Sequence, residues 1–558
     1  MSSPRAVVAC SVLALALLGF FQFPGHTFLH QDTQIYIPML ERMWNHDVLA
    51  RDLVATHPHV AFTLYDEIAL GLRWITRLDF QYVLVLQQIP LRALGILGVY
   101  LIACALGLSM RMALLAAGVF SLGATIGGPS VLTFEYEPVP RGFAVPLVLL
   151  AIGLVAHRWF LAAGISAALG FLYHPPAVWP FWLIWLGALL WPGAEGRRSW
   201  WRGLLPLAAA ALLLGAFAWI QREAQDAGLL WRTLEADLEK LQRMRAAYNW
   251  ISAWSAQWIQ HYELLGVIAL GAFLRLRQRA SRELSWFLIG LPLVGLASLP
   301  VSWWLLDDGK WALIPQVQPA RSVLFLTVMG LVAASVAGLH AVGRGRLWEG
   351  AAWLMAPFAI PTQSQVIQVL LPDLRQPLPS RRVLLVAALV ALAVLAAWLE
   401  SRRRRGVTAV CVVTMLAASF LIPSWGKVRN YPRLDHPELA QLCDWARTKT
   451  PPNAVFLFPD AGKELHPGLF RGRALRAVYV DWKVGGQANF SRALAADWWS
   501  RWQRTMEAGF RPSDLGRYEG LGIDFLVVSP EHRIPARTTA FENGRYLVYV
   551  LGLRAGGR

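Results

Sequence analysis

His30-Gln31-Asp32-Thr33-Gln34-Ile35-Tyr36-Ile37-Pro38-Met39-Leu40-Glu41-Arg42-Met43-Trp44 comes shortly after an apolar run that begins beyond Arg5 and ends at Phe23. The first run is long enough to cross a bilayer as a helix. The stretch after it carries Ile35, Tyr36, Met39, Leu40, Met43 and Trp44 at helical spacing, an apolar face suited to lying on a membrane surface. Pro38 shapes its first turn. Asp32 stands at the head of this segment. Spacing alone leaves two roles open for it: a helix N-cap, or a carboxylate serving chemistry at a lipid headgroup.

Working outward, the same pattern of long apolar runs recurs. Of 558 residues, 56% are hydrophobic and 16% charged; mean hydropathy is +0.43. Only helices and closed barrels satisfy their backbone inside hydrocarbon, and barrel strands are shorter and alternating. The chain reads as a polytopic α-helical membrane protein. Its formal charge is +17, and only six of its 52 basic residues are lysines (Lys240, Lys310, Lys427, Lys449, Lys463, Lys483). No basic stripe with interleaved aromatics suggests nucleic acid. Of Cys10, Cys104, Cys411 and Cys443, the first three fall in apolar runs, and no CxxC occurs, so neither a disulfide framework nor a zinc site is indicated. The exit Gly19-Phe20-Phe21-Gln22-Phe23-Pro24 lacks a small-x-small cleavage pattern, so the first run reads as a retained helix.

Arginine-rich short loops mark the cytoplasmic side. They alternate with spans expected at about 6–23, 82–106, 112–127, 141–157, 159–174, 177–192, 203–220, 258–275, 284–304, 321–342, 350–371, 383–400 and 407–424. That is about thirteen transmembrane helices, with the N-terminus inside and the tail outside. The domains expected are a transmembrane domain at 1–428, with a long first outer loop at 24–81, and a soluble domain at 429–558. Within the first loop, 59–76 is apolar but carries Asp66 and Glu67, costly in hydrocarbon, and is expected as an interfacial helix. Residues 221–257 hold an amphipathic helix through Leu234, Leu238, Leu241 and Met244.

The outer loops hold the other candidates. Glu135-Tyr136-Glu137 lies between prolines and ahead of Arg141. In extended backbone the two carboxylates share a side, able to hold a divalent cation, Mg2+ or Mn2+; the plainer alternative is an ion pair with Arg141. His57, His59 and His174 sit near outer span ends, where a histidine is more often structural than a ligand. Lys310 and Arg321 are phosphate contacts or ordinary neighbours of interfacial tryptophans. From about Asn430 the chain reads as a small α/β module, with strands at Ala454–Phe458, Ala477–Asp481, Ile523–Val528 and Tyr546–Leu551 and helices at Pro437–Lys449 and Ser491–Ala508. Asp481, Lys483, Asp497 and Trp498-Trp499 stand out there. No Walker loop, GxSxG or dinucleotide fingerprint is present.

This layout, with Asp32 and Tyr36 after the first span, resembles the GT-C superfamily of membrane glycosyltransferases, whose members include protein O-mannosyltransferases, the lipid A aminoarabinose transferase and oligosaccharyltransferases. Glu135-Tyr136-Glu137 is similar to the paired acids of oligosaccharyltransferases. Thr33 stands where many relatives have a second acid, and the Trp-Trp-Asp-Tyr-Gly peptide is lacking, which argues against an N-glycosylating enzyme. The resemblance implies a GT-C-like fold with a C-terminal α/β extracytoplasmic domain in a bacterial inner membrane. It implies sugar transfer from a polyprenyl-phosphate donor to a glycan, lipid or protein acceptor, with Asp32 as base. Glu135 and Glu137 become catalytic carboxylates or metal ligands; Tyr36, Arg141, His174, Lys310 and Arg321 become substrate contacts. Two other classes compete: a non-catalytic envelope-assembly or glycan-binding subunit, and a lipid or solute transporter. Transport calls for mid-span ionisable residues and matched half-repeats, whereas here most acids lie at span ends in outer loops and no half-repeat is evident.

Overall fold

In the computed structural model, the described residues are 3–21, 24–57, 64–121, 123, 125–126, 131–191, 197–220, 232–359, 431, 434–535 and 537–552. The helices in chain order are α1 (Pro4–Phe21), α2 (Thr33–Trp44), α3 (Tyr65–Thr76), α4 (Phe80–Ala105), α5 (Met110–Ser121), α6 (Pro140–Ala156), α7 (Phe160–Tyr173), α8 (Pro175–Leu190) and α9 (Arg197–Ile220). They continue with α10 (Ala236–Arg245), α11 (Ala256–Leu276), α12 (Arg282–Ser302), α13 (Ile314–Val317), α14 (Val323–Gly343), α15 (Leu347–Ala359), α16 (Pro437–Lys449), α17 (His466–Ala474) and α18 (Arg492–Thr505). The strands are β1 (Thr125–Ile126), β2 (Val131–Leu132), β3 (Val455–Leu457), β4 (Ala477–Val478), β5 (Phe525–Val528), β6 (Phe541–Glu542) and β7 (Leu547–Val550).

Two compact units emerge. One comprises Met1–His26, Val85–Trp219 and Tyr248–Asn430; the other comprises Thr27–Leu84, Ile220–Ala247 and Tyr431–Arg558. Among the described residues, six helices are long and apolar enough to cross a bilayer: Pro4–Phe21, Phe80–Ala105, Trp200–Phe217, Trp258–Leu276, Arg282–Asp308 and Ile314–Gly343. Met110–Ser121, Pro140–Ala156, Phe160–Tyr173 and Pro175–Leu190 are shorter apolar helices. The spans expected at 383–400 and 407–424, the end of 350–371, and Cys411 lie outside the described residues, as does His59.

In the first unit α14 is the hub. Nearly every residue from Val323 to Leu339 is buried, and the helix packs against α5, α11, α12 and α15. A helix apolar on all sides has no preferred face, so its neighbours surround it. The crossing of α4 and α6 depends on glycine. A Cβ on Gly98 would stand 2.4 Å from the Leu149 carbonyl carbon, and one on Gly153 would stand 2.6 Å from Gly98 O. Small residues allow backbones to approach this closely. Buried Arg92 ties irregular segments together by donating to Gly19 O at 3.2 Å, to Gly25 O at 2.9 Å and to Glu135 O. Beside it, His26 Nδ1 bonds Gln88 Oε1 at 2.7 Å, and Gln88 Nε2 donates to Glu135 O at 3.1 Å.

The second unit is an α/β body. Its sheet has the order β4-β3-β5-β7-β6, parallel among β4, β3 and β5 and antiparallel from β5 through β7 to β6. Parallel neighbours need a crossover, and α17 supplies it between β3 and β4. The sequence did not call for α17 or β6. Strand residues are buried on both faces. Phe456 and Phe525 stack at 4.7 Å beside Trp445 of α16. Leu457, Leu526 and Leu547 share the opposite core with Ile35 and Met39 of α2, Leu241 of α10 and Trp498 of α18. Thus residues of the first long loop and of α10 pack with the tail. In α3, Trp74 and Ile75 are exposed while Asp66 is buried, and burial, with Glu67 beside it, pushes the Asp66 carboxyl up to about 7.

At the centre of this unit Arg471 lies between two acids, none of the three exposed. Its Nε donates to Asp52 Oδ2 at 2.7 Å, and its Nη2 donates to Asp481 Oδ2. Asp52 also accepts backbone N–H bonds from Val54, Ala55 and Val478. Burial works against the guanidinium charge, but the two carboxylates outweigh it and raise its titration above the ordinary range. Truncating one member of such a set strands the others.

Arg471→Met is therefore expected to cost about 3–5 kcal/mol, read as a lowered unfolding temperature of the detergent-solubilised chain. Acidification supplies a second test. Burial, with Arg92 adding to it and the Gln88 bond opposing it, holds His26 down to about 4. Between about pH 6.5 and that value the unfolded chain takes up a proton that the folded one refuses, so His26 contributes stability above this window that is lost as pH falls through it. The His26→Asn variant is expected to lose less stability than wild type over the same range.

Candidate active site

In the first unit the chain turns from β2 into α6 through Thr133–Val139. Pro140 starts α6, with its fixed φ suited to that position. Arg141 follows, and its Nε donates to Glu135 Oε1 at 2.6 Å; Leu132 N donates to the same oxygen at 3.2 Å. The pair is largely buried. Gly142 makes room for it, because a Cβ there would lie 2.9 Å from Glu135 Cβ. Of the two readings open for Glu135, the ion pair with Arg141 is the one found. Glu137 is buried, and its backbone carbonyl accepts from Val139 N at 2.9 Å. Among the described residues no three His, Cys, Asp or Glu side chains gather as a metal site.

Arg141, His174 and Arg321, far apart in the sequence, line one cavity whose walls include Leu132, Val145 and Phe325. Its rim has a common structural origin. Arg141 and Val145 lie in the first turns of α6, Pro176 and Ala177 in the first turn of α8, and Leu324 and Phe325 in the first turn of α14. Each such terminus carries a partial positive charge of roughly half a unit, while its first N–H groups are missing or used locally: Pro140, Pro175 and Pro176 have none, Gly142 N bonds Val139 O and Val323 N bonds Ala320 O. His174 links α7 to α8, and its Nδ1 accepts from Ala177 N at 3.1 Å. The neutral ring therefore carries its proton on Nε2 and is a donor there. Its structural and site readings coexist. Arg321 sits in the turn Pro319–Ser322, with its guanidinium 4.6 Å from the Tyr248 ring. Two guanidiniums, an imidazole N–H and three helix N-termini around an apolar cavity suit an anion. Lys310 lies elsewhere in this unit, at φ 51°, with its ammonium 5.3 Å from the Trp250 ring.

Asp32 and Tyr36 belong to the second unit. Asp32 precedes α2 with helical backbone and makes no capping hydrogen bond. Its Oδ1 instead accepts from Lys483 Nζ at 2.6 Å. The residues after it are used structurally. Thr33 Oγ1 accepts from Leu29 N at 2.8 Å, and Gln34 Nε2 donates to Leu29 O and Leu465 O at 2.8 and 2.9 Å. Tyr36, one turn on, lies 5.3 Å from the Tyr65 ring. Sequence reasoning had no role for Lys483. The signal available was its rarity, one of six lysines in an arginine-rich chain.

A family model described as a domain of unknown function, DUF6798, matches residues 437–505. No curated protein matches the chain. Among solved structures it is similar to the archaeal oligosaccharyltransferase AglB from Archaeoglobus fulgidus, in complex with an inhibitory peptide and a dolichol-phosphate. The identity there is 13%, with 95% of this chain and 70% of that one covered, at a TM-score of 0.43. It is similar also to ArnT from Cupriavidus metallidurans in the apo state, at 13% identity over 98% of both chains with a TM-score of 0.49. The same protein bound to undecaprenyl phosphate matches at 13% identity over 100% of this chain and 98% of that one, with a TM-score of 0.46.

Proposed function

We propose that this chain is a multi-pass membrane glycosyltransferase that moves a sugar from a polyprenyl-phosphate donor to an extracytoplasmic acceptor with inversion. One observation carries the reading: Arg141, His174 and Arg321 line a single apolar-walled cavity rimmed by three helix N-termini. A phosphate on a prenyl chain needs that combination, cationic donors for the head and apolar surroundings beside it. Outside the cytoplasm nucleotide sugars are not supplied, so a donor carried in the membrane fits a multi-pass chain. The tail domain is assigned to the extracytoplasmic face of a bacterial inner membrane.

Transfer at the anomeric carbon breaks the sugar–phosphate C–O bond as the acceptor oxygen bonds from the opposite side. Asp32 takes the acceptor hydroxyl proton, since a hydroxyl is a poor nucleophile until one is removed. The departing phosphate gathers charge, which Arg141, Arg321 and the His174 Nε2–H stabilise in a low-dielectric setting. Glu135 holds Arg141 by its 2.6 Å bond. Tyr36, Glu137 and Lys310 are assigned supporting contacts to acceptor or donor.

The test is transfer from undecaprenyl-phosphate sugars by the reconstituted full chain, together with binding of undecaprenyl phosphate. Asp32→Asn is expected to lower turnover by about 100-fold or more, in the range of general-base loss, with lipid binding unchanged. Arg141→Gln and Arg321→Gln are each expected to weaken lipid binding about tenfold, as loss of a charge-assisted hydrogen bond does. An Asp32→Asn variant at full rate removes Asp32 from the reaction, and binding indifferent to both arginines removes the phosphate assignment.

A further inference from the structure

Lys483 sits where three consecutive residues are each fastened differently. Asp481 is held by Arg471, accepts from Val484 N at 3.2 Å on its other oxygen, and receives the Trp498 indole N–H on its carbonyl at 2.8 Å. The Trp482 ring lies under two cations, the Arg245 guanidinium at 3.6 Å and the Lys463 ammonium at 4.8 Å, and its carbonyl also accepts from Arg245. The following 3-10 turn is tied to α10 by Gln242 Nε2 donating to Ala488 O at 3.2 Å. A lysine ordinarily loses much rotamer freedom in holding one contact. Here the backbone that carries it is already immobile, and its ammonium meets Asp32 Oδ1 at 2.6 Å with both side chains mostly covered. The Asp32 side chain makes no capping hydrogen bond and accepts from this lysine.

We infer that Lys483 is the positioning residue of Asp32: the ammonium holds one carboxylate oxygen and so fixes which oxygen faces the acceptor. The inference rests on the reading of Asp32 as the transfer base and adds to it a second residue, 451 positions away. Lys483 touches no reacting atom; it acts through Asp32. One oxygen is held by the ammonium, and the other is the one assigned to the acceptor proton. Removing the ammonium from so covered a pair strands a carboxylate, so Lys483→Arg, which keeps the charge, is the variant that separates positioning from folding.

Two experiments on the detergent-solubilised full chain decide it. Water-soluble carbodiimide activates the Asp32 carboxyl, the Lys483 amine displaces it, an amide forms and the reagent leaves as its urea. Mass spectrometry is expected to find the peptides of residues 32 and 483 joined, and to lose the product in Lys483→Met. Absence of the linkage in wild type overturns the pairing. In transfer assays Lys483→Met is expected to lower kcat about tenfold or more, with KM for the undecaprenyl-phosphate sugar within about twofold, since positioning losses fall on the transition state. Lys483→Arg is expected to recover most of the rate. The Asp32→Asn/Lys483→Met double variant is expected to be no slower than Asp32→Asn alone. A Lys483→Met enzyme at wild-type kcat beside an inactive Asp32→Asn enzyme overturns the inference and leaves the base reading intact; an Asp32→Asn enzyme at wild-type rate overturns both. Failure of arginine to rescue, or additive losses in the double variant, also overturns it.

Discussion

The buried Asp52–Arg471–Asp481 set is the constraint on which the second unit depends. Asp52 comes from the first long loop, Arg471 from α17 and Asp481 from the turn after β4. Asp52 is 419 residues from Arg471 in the chain, yet a charge taken out of water must find its counter-charge within a few ångströms. The set thereby fixes the register of the early loop against the sheet. Val478 N, bonded to Asp52, carries that register into β4 itself. The placing of Lys483 against Asp32 follows, since Asp481 is two residues away and immobile. An apolar core of the same volume could hold the segments together, but it would not specify this alignment so narrowly.

The first unit solves a different problem. Its helices are apolar nearly all round, so hydrophobic burial does not choose among neighbours. Choice falls to small residues that permit close crossings, as at Gly98 and Gly153, and to polar groups that must be satisfied away from water. Arg92 is one such group, answered by three backbone carbonyls from separate segments. The consequence is a cavity where α6, α8 and α14 begin together. Glu135 holds the Arg141 guanidinium there, and His174 and Arg321 line the same cavity. Pro140, Pro175 and Pro319 serve that geometry. Each stands at the start of a helix or turn, where its missing N–H costs nothing.

Much of this was legible in particular residues. Hydropathy alone marks α1, α4, α11 and α14, since long apolar runs admit few alternatives. The helix at Pro437–Lys449 was read at its observed bounds, and β3, β5 and β7 fall within the strands expected. The misses have physical causes. His466–Ala474 contains two glycines and an arginine, Arg471, turned to buried acids, so its periodicity is blurred and α17 goes unseen. Asp32 carried the spacing of an N-cap, but its carboxylate turned to Lys483 because a full charge outbids a backbone amide. Of the two readings offered for Glu135, the ion pair with Arg141, six residues on, is the one found.

The amino-acid sequence by itself determined that this chain has membrane-length apolar helices, a compositional change near Asn430, and carboxylates and cations gathered at span ends. Those properties are local, set by run length and period. Only the tertiary structure decided that Arg141, His174 and Arg321 share one cavity and that Asp32 answers to Lys483. Which helix starts converge, and which distant charges meet, depends on packing among nearly uniform apolar surfaces and on the neutralisation of buried charge, and neither leaves a periodic mark in the chain.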